Sequence, residues 1–91
     1  MDKFLDLEEL ALEVRLLRDQ GRRIVQCHGV FDLLHPGHIR HFQAARRHGD
    51  LLVVTVTSDQ FVNKGPGRPV FNERLRAESV AAFADVDYVA V

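Results

Sequence analysis

Two histidines stand out for the chemistry their spacing allows: His35 and His38, three residues apart, with Pro36 and Gly37 between them. Proline is favoured at the first position of a helix, where its missing N–H would have no partner anyway. A helix opening at Pro36 would hold His35 just outside its first turn and His38 within it. Both would lean over the positive end of the helix dipole, where backbone N–H groups attract anions. Gly37 would let a phosphate come close to the backbone. Two imidazoles at such a point can donate hydrogen bonds to a phosphate-bearing ligand and offset negative charge that grows during group transfer.

Other residues could join them. Arg74 would fall in the first turn of a helix, where a cation opposes the dipole, so an anionic partner is a natural explanation. The plainer reading is a surface ion pair with Glu78, four residues on, which contributes little. Lys64 sits in Asn63-Lys64-Gly65-Pro66-Gly67-Arg68, either a solvated turn or a loop that reaches the same anion. Asp59 follows a strand and could face a substrate or metal, whereas Asp32 could cap or orient its own loop. His28 reads as packing with a supporting role, and His41 and His48 as solvated. Cys27, His28, His35, His38 and His41 crowd together in sequence, which raises a zinc site. Against it, structural zinc draws paired ligands from two knuckles, and Cys27 and His28 should point to opposite faces of a strand.

The elements that must position these groups follow from local signals. Asp6 with Glu9 forms a capping-box pattern. Leu7, Leu10, Ala11, Val14 and Leu17 then recur at helical spacing up to a stop at Gly21. Residues 24–27 read as a short strand, followed by a glycine-containing loop and the helix from Pro36, with Ile39, Phe42 and Ala45 inward and Gly49 at its end. Residues 51–57 form an apolar, β-branched run suited to a strand covered on both faces. Residues 59–68 are loop-like, with one helical turn near 60–62. Asn72 is a good N-cap for a helix that turns Leu75, Ser79, Ala82 and Phe83 inward, and residues 86–91 read as a third strand. Alternating helices and strands imply a parallel sheet with right-handed crossovers, hence an α/β fold with its ligand site at the carboxyl ends of the strands. Residues 1–21 form an N-terminal helical segment and 22–91 the binding domain. A doubly wound fold has about five strands, so the C-terminal part of the pattern is missing from this sequence.

Composition narrows the function classes. The chain has 91 residues, 46% hydrophobic and 27% charged, with a net charge of −1. The pI is about 6.5. There is no broad basic surface for nucleic acid, so local cations must carry any anion recognition. One cysteine excludes an internal disulfide framework. The sequence has no apolar run of the roughly 18 residues needed to span a membrane and no signal-peptide pattern at its start, so a cytoplasmic location is expected.

The stretch Gly29-Val30-Phe31-Asp32-Leu33-Leu34-His35-Pro36-Gly37-His38 resembles the HxGH motif of the cytidylyltransferase-like nucleotidyltransferase superfamily. Glycerol-3-phosphate cytidylyltransferases and heptose-1-phosphate adenylyltransferases belong to that superfamily. The similarity continues through Gly49-Asp50, Ser58-Asp59, Lys64, Asn72-Glu73-Arg74 and Val86-Asp87-Tyr88-Val89, and the loop 63–70 looks closest to the sugar-phosphate adenylyltransferase branch. The family often has threonine or cysteine at the position of Val30, and its later motifs would lie beyond Val91.

The resemblance implies a Rossmann-like, HUP-type nucleotidyltransferase fold and transfer of AMP or CMP from ATP or CTP to a sugar or polyol phosphate. Pyrophosphate would leave, and Mg²⁺ would accompany the nucleotide. By matching positions, His35, His38, Lys64 and Arg74 would be catalytic. Gly29, Val30, Phe31, Asp32, Gly37 and Asp59 would line the nucleotide, with no protein-held metal. A homodimer through residues 84–91 would be expected, with an uncovered apolar strand edge as the physical reason. The alternative is a nucleotide-binding module without catalysis.

Overall fold

A computed structural model describes residues 3–63 and 65–91. Helix α1 spans Leu7–Asp19, and strand β1 spans Ile24–Gly29. Helix α2 spans Pro36–Arg46, strand β2 Leu51–Val56, helix α3 Glu73–Ala81 and strand β3 Tyr88–Ala90, with a single 3₁₀ turn at Asp59–Phe61. The strands form a parallel sheet in the order β1-β2-β3, with Ile24 opposite Leu51 and Val53 opposite Tyr88.

The helix starts are those the local chemistry dictates. The Asp6 carboxylate accepts the Glu9 N–H at 2.7 Å, and the Glu9 carboxylate accepts the Asp6 N–H at 3.2 Å. Pro36 opens α2, and the Asn72 side chain accepts the Leu75 N–H at 2.9 Å to cap α3. The α1 stop lies where expected: Gly21, just past the Gln20 cap, takes a φ of 81° that favours glycine. Gly49 has another purpose. Helix α2 ends earlier, at Arg46, and a Cβ on Gly49 would sit 2.9 Å from the Arg23 carbonyl oxygen and 2.8 Å from a Val25 methyl. Absence of a side chain lets the chain enter β2 hard against β1.

All six residues of β2 are buried. Leu52, Val54 and Val56 face a core made with Phe42, Ala77, Val80 and Val86, whereas Val53 packs with Leu10 and Ala90. Two crossovers of the same hand, stepping the same way across the sheet, put α2 and α3 on one face. Helix α1 covers the other. Each large side chain so buried stabilises the fold by about 1.5–3 kcal/mol relative to exposure.

The structure differs from sequence expectation in five places. β1 runs two residues further, to Gly29, so His28 is a strand residue, and β3 is shorter than 86–91. Ile39 is 44% exposed, leaving Phe42 and Ala45 as the sheet-facing residues of α2. Helix α3 is rotated by about one position: Arg76, Ala77, Val80 and Ala81 are buried, whereas Leu75, Ser79 and Ala82 are exposed. The cause is an inward arginine. Finally, the outer edge of β3 is covered, because Phe4 bridges Val89, Leu5 N–H donates to the Val89 carbonyl at 2.9 Å, and Val89 N–H donates to the Lys3 carbonyl at 2.9 Å. The edge argument for pairing through residues 84–91 therefore does not hold. Among the described residues it is β1 that pairs on one side only.

Candidate functional site

The carboxyl ends of β1 and β2 gather the groups singled out from the sequence. His35 is the N-cap of α2, in extended conformation, and its Nδ1 accepts the Gly37 N–H at 3.0 Å. His38, in the first turn, reaches back so that its Nδ1 accepts the His35 N–H at 3.2 Å. The two rings lie 4.3 Å apart, centroid to centroid. A backbone N–H can only donate, so both Nδ1 atoms must be acceptors. Each neutral ring therefore carries its proton on Nε2. The reciprocal cap thus fixes the tautomer of both histidines and turns two N–H donors away from the backbone.

This geometry revises the part played by Gly37. A Cβ there would lie 2.5 Å from Cε1 and 2.9 Å from Nδ1 of His35. The glycine leaves room for the His35 ring, and the Gly37 N–H is already occupied by that ring. With the Gly37 N–H held by His35 Nδ1 at 3.0 Å and the His38 N–H by the His35 carbonyl at 2.9 Å, these two are not the free backbone N–H groups expected from the dipole argument.

Phe31 supports the pair from beneath. Its ring packs edge-on to His38 at 5.9 Å and against Phe42 at 5.4 Å. It also sits over Gly29, where a Cβ would meet the ring at 2.9 Å. Its φ of 52° is left-handed, a conformation that costs a bulky residue about 1–3 kcal/mol. Fixing the ring under His38 is what that strain accompanies.

Asp32 positions a loop. It is buried, and its carboxylate accepts Val70 N–H at 2.8 Å, Phe71 N–H at 2.9 Å and the Arg68 guanidinium at 3.1 Å. Burial works against the charged form, but the two backbone donors and Arg68 outweigh it and hold the carboxyl below its ordinary range. Asp32 therefore ties the β1–α2 loop to the segment leading into α3, the orienting role. Lys64 lies outside the described residues.

The structure separates two arginines that the sequence did not. Arg74 stacks over the Phe4 ring at 5.2 Å, a partner near the β3 edge other than Glu78. Arg76, missed by sequence reasoning, is the hub. Its side chain is fully buried. Its Nε donates to the Phe71 carbonyl at 2.9 Å, and Nη1 donates to the carbonyls of Val30 and Thr57, each at 2.8 Å. Its Nη2 pairs with Asp59 Oδ1 at 2.6 Å. One guanidinium thereby holds the β1–α2 loop to both ends of the β2–α3 connection. Val30 contributes its carbonyl to this hub. Asp59 is committed to Arg76 by one oxygen, with its side chain 40% exposed. The available signal was the spacing of Arg76 with Ala77, Val80 and Ala81, which shares one helix face.

Cys27 and His28 do point to opposite faces. Cys27 packs toward the α2 side, 3.6 Å from His41 Nε2, and burial raises its thiol pKa. His28 faces the α1 side, with its ring nitrogens at Thr55 Oγ1 (2.7 Å) and Thr57 Oγ1 (3.2 Å). Among the described residues no three His, Cys, Asp or Glu side chains converge as a metal site. No helix among them is long and apolar enough to cross a membrane.

Comparison with known proteins adds the family. Residues 26–91 match the Cytidylyltransferase-like family model. The chain is 47% identical over 90 residues to the bifunctional protein HldE of Methylobacillus flagellatus, covering 97% of this chain and 18% of that protein. It is 50% identical over 76 residues to the HldE of Nitrobacter winogradskyi, covering 81% of this chain and 16% of the relative. The chain thus spans under a fifth of these relatives. Its fold resembles that of a lipopolysaccharide core biosynthesis protein from Thermoplasma volcanium, with a TM-score of 0.70 and 33% identity, covering 76% of this chain and 57% of that one. With the matching model covering the whole segment that carries the histidine pair, the chain belongs to the cytidylyltransferase-like family.

Proposed function

We propose that this chain forms the triphosphate-binding part of a nucleotidylyltransferase that passes AMP or CMP from ATP or CTP to the phosphate of a sugar or polyol. The observation that carries this reading is the reciprocal cap, which puts both ring protons on Nε2 at the start of α2. Family membership and the HldE relatives support the same reaction class.

In the reaction, a phosphate oxygen of the acceptor forms a new bond to the α-phosphorus of the nucleotide. The bond from the α-phosphorus to the bridging oxygen breaks, and pyrophosphate leaves with the electron pair. The protein forms no covalent bond; it acts by positioning and by stabilising the charge that accumulates. His35 and His38 supply fixed donors to the phosphates. Phe31 and Gly37 hold the two rings in place, and Arg76 with Asp32 holds the loops around them. By its matching position in the sequence, Lys64 would contact the nucleotide phosphates. Mg²⁺ would arrive with the triphosphate and be held chiefly by phosphate oxygens, as that ion prefers few protein carboxylates. Asp59, half-exposed beside the hub, would be available to its water shell.

The test is a pyrophosphate-release screen of ATP, CTP, GTP and UTP against a panel of sugar and polyol phosphates. Release with ATP or CTP and one class of acceptor is the expected result. Tight nucleotide binding without release for any acceptor would leave the non-catalytic module in its place.

A further inference from the structure

The α1 face of the sheet carries polar side chains where an apolar core would be expected. Gln26 and His28 lie on β1, Thr55 on β2 and Thr57 just past its end, and they hydrogen-bond to one another. Gln26 Nε2 donates to Thr55 Oγ1 at 3.3 Å, and His28 spans from Thr55 at 2.7 Å to Thr57 at 3.2 Å. These groups line a cavity of about 510 Å³ that Leu7 and Phe61 also border, a size suited to a small ligand. Phe61 is 71% exposed and Leu7 58%. Among the described residues, no charged side chain lines the space.

His28 bridges the two threonines through its two ring nitrogens, one donating and the other accepting in the neutral ring, so either tautomer satisfies the chain. The network therefore offers both donors and acceptors at the cavity, with Gln26 and His28 solvent-accessible beside it. Groups that both donate and accept, without formal charge, match hydroxyls rather than an anion, and an exposed aromatic face beside them suits the apolar face of a sugar ring.

We infer that this cavity holds the hydroxyl-bearing body of the acceptor, with Thr57 and His28 reading its hydroxyls while its phosphate lies toward His35 and His38. The connection is built into the backbone. His28 directly precedes the phosphate loop, Thr57 N–H donates to the Gly29 carbonyl at 2.9 Å, and the Thr57 carbonyl is held by Arg76. The inference rests on the transfer reaction proposed above for its substrate class, but it is tested separately.

The experiment titrates mannose 1-phosphate, glycerol 3-phosphate and inorganic phosphate into the wild-type chain and into Thr57→Val, Thr57→Ser and His28→Phe, with ATP and CTP in parallel. His28 is exposed and Thr57 half-exposed, and thermal melts identify any variant that fails to fold. Loss of one hydrogen bond should weaken mannose 1-phosphate about three- to tenfold in Thr57→Val. Thr57→Ser should bind as wild type, His28→Phe should lose at least as much as Thr57→Val, and inorganic phosphate and nucleotide should be unaffected. Equal mannose 1-phosphate binding in wild type and Thr57→Val, or no binding of either organic phosphate by wild type, overturns the inference. Failure of ATP and CTP to bind wild type would instead count against the transfer reaction, while the organic phosphates still judge the cavity.

Discussion

The imidazole of His35 lies directly over Gly37, whose missing Cβ would fall 2.5 Å from the ring and whose N–H is bound by Nδ1 at 3.0 Å. This one relationship ties the glycine of the motif to the tautomer of its first histidine.

Gly37→Ala should therefore displace His35 and release its Nε2–H from its set direction. We expect a stability loss of about 1 kcal/mol, the value of a helix cap, with nucleotide affinity falling by about tenfold or more, as for a lost charge-assisted hydrogen bond. Urea unfolding and calorimetric titration check the two effects separately. An unchanged affinity would show that the ring position is immaterial.

The two arginines of α3 should behave oppositely. Arg76→Met strips partners from three carbonyls and from Asp59, so it should destabilise the fold by about 3 kcal/mol or more. Arg74→Ala removes an exposed cation–π contact and should cost no more than about 1 kcal/mol. Parallel urea unfolding curves decide between them.

Asp32 gives the fold a pH dependence whose sign is fixed. Its carboxyl is held below the ordinary range in the folded chain, so the unfolded chain takes up its proton first as pH falls. The stabilisation is complete above the unfolded value, about 3.9, and disappears as pH drops through that value toward the folded one. Asp50, held down by the Arg23 N–H, acts in the same direction. Asp32→Asn should thus show a flatter loss of stability between neutral and acid pH than wild type, measured by denaturant titration at each pH. A slope as steep as that of wild type would contradict this.

Much of the fold was legible because its signals are local. Asp6 with Glu9, Pro36 and Asn72 each satisfy a helix start within four residues, and the unbroken apolar run at 51–56 needs no partner to announce a strand covered on both sides. The histidine pair was legible for the same reason. What escaped depends on distant chain segments. Arg76 is inward only because Val30, Thr57 and Phe71 bring their carbonyls to one point, and misplacing it rotated the face assigned to α3. Gly37 was read as making room for phosphate, because nothing in the sequence places the His35 ring over it. The His28–Thr55–Thr57 chain needed the register of β1 against β2 to become visible.

The most direct test of the central claim is calorimetric titration of ATP and CTP into the wild-type chain and into His38→Ala. The account predicts that wild type binds at least one of the two nucleotides and that His38→Ala weakens it by about tenfold or more. Equal affinity in the two proteins would contradict the assignment of the His35 and His38 Nε2–H groups to the triphosphate.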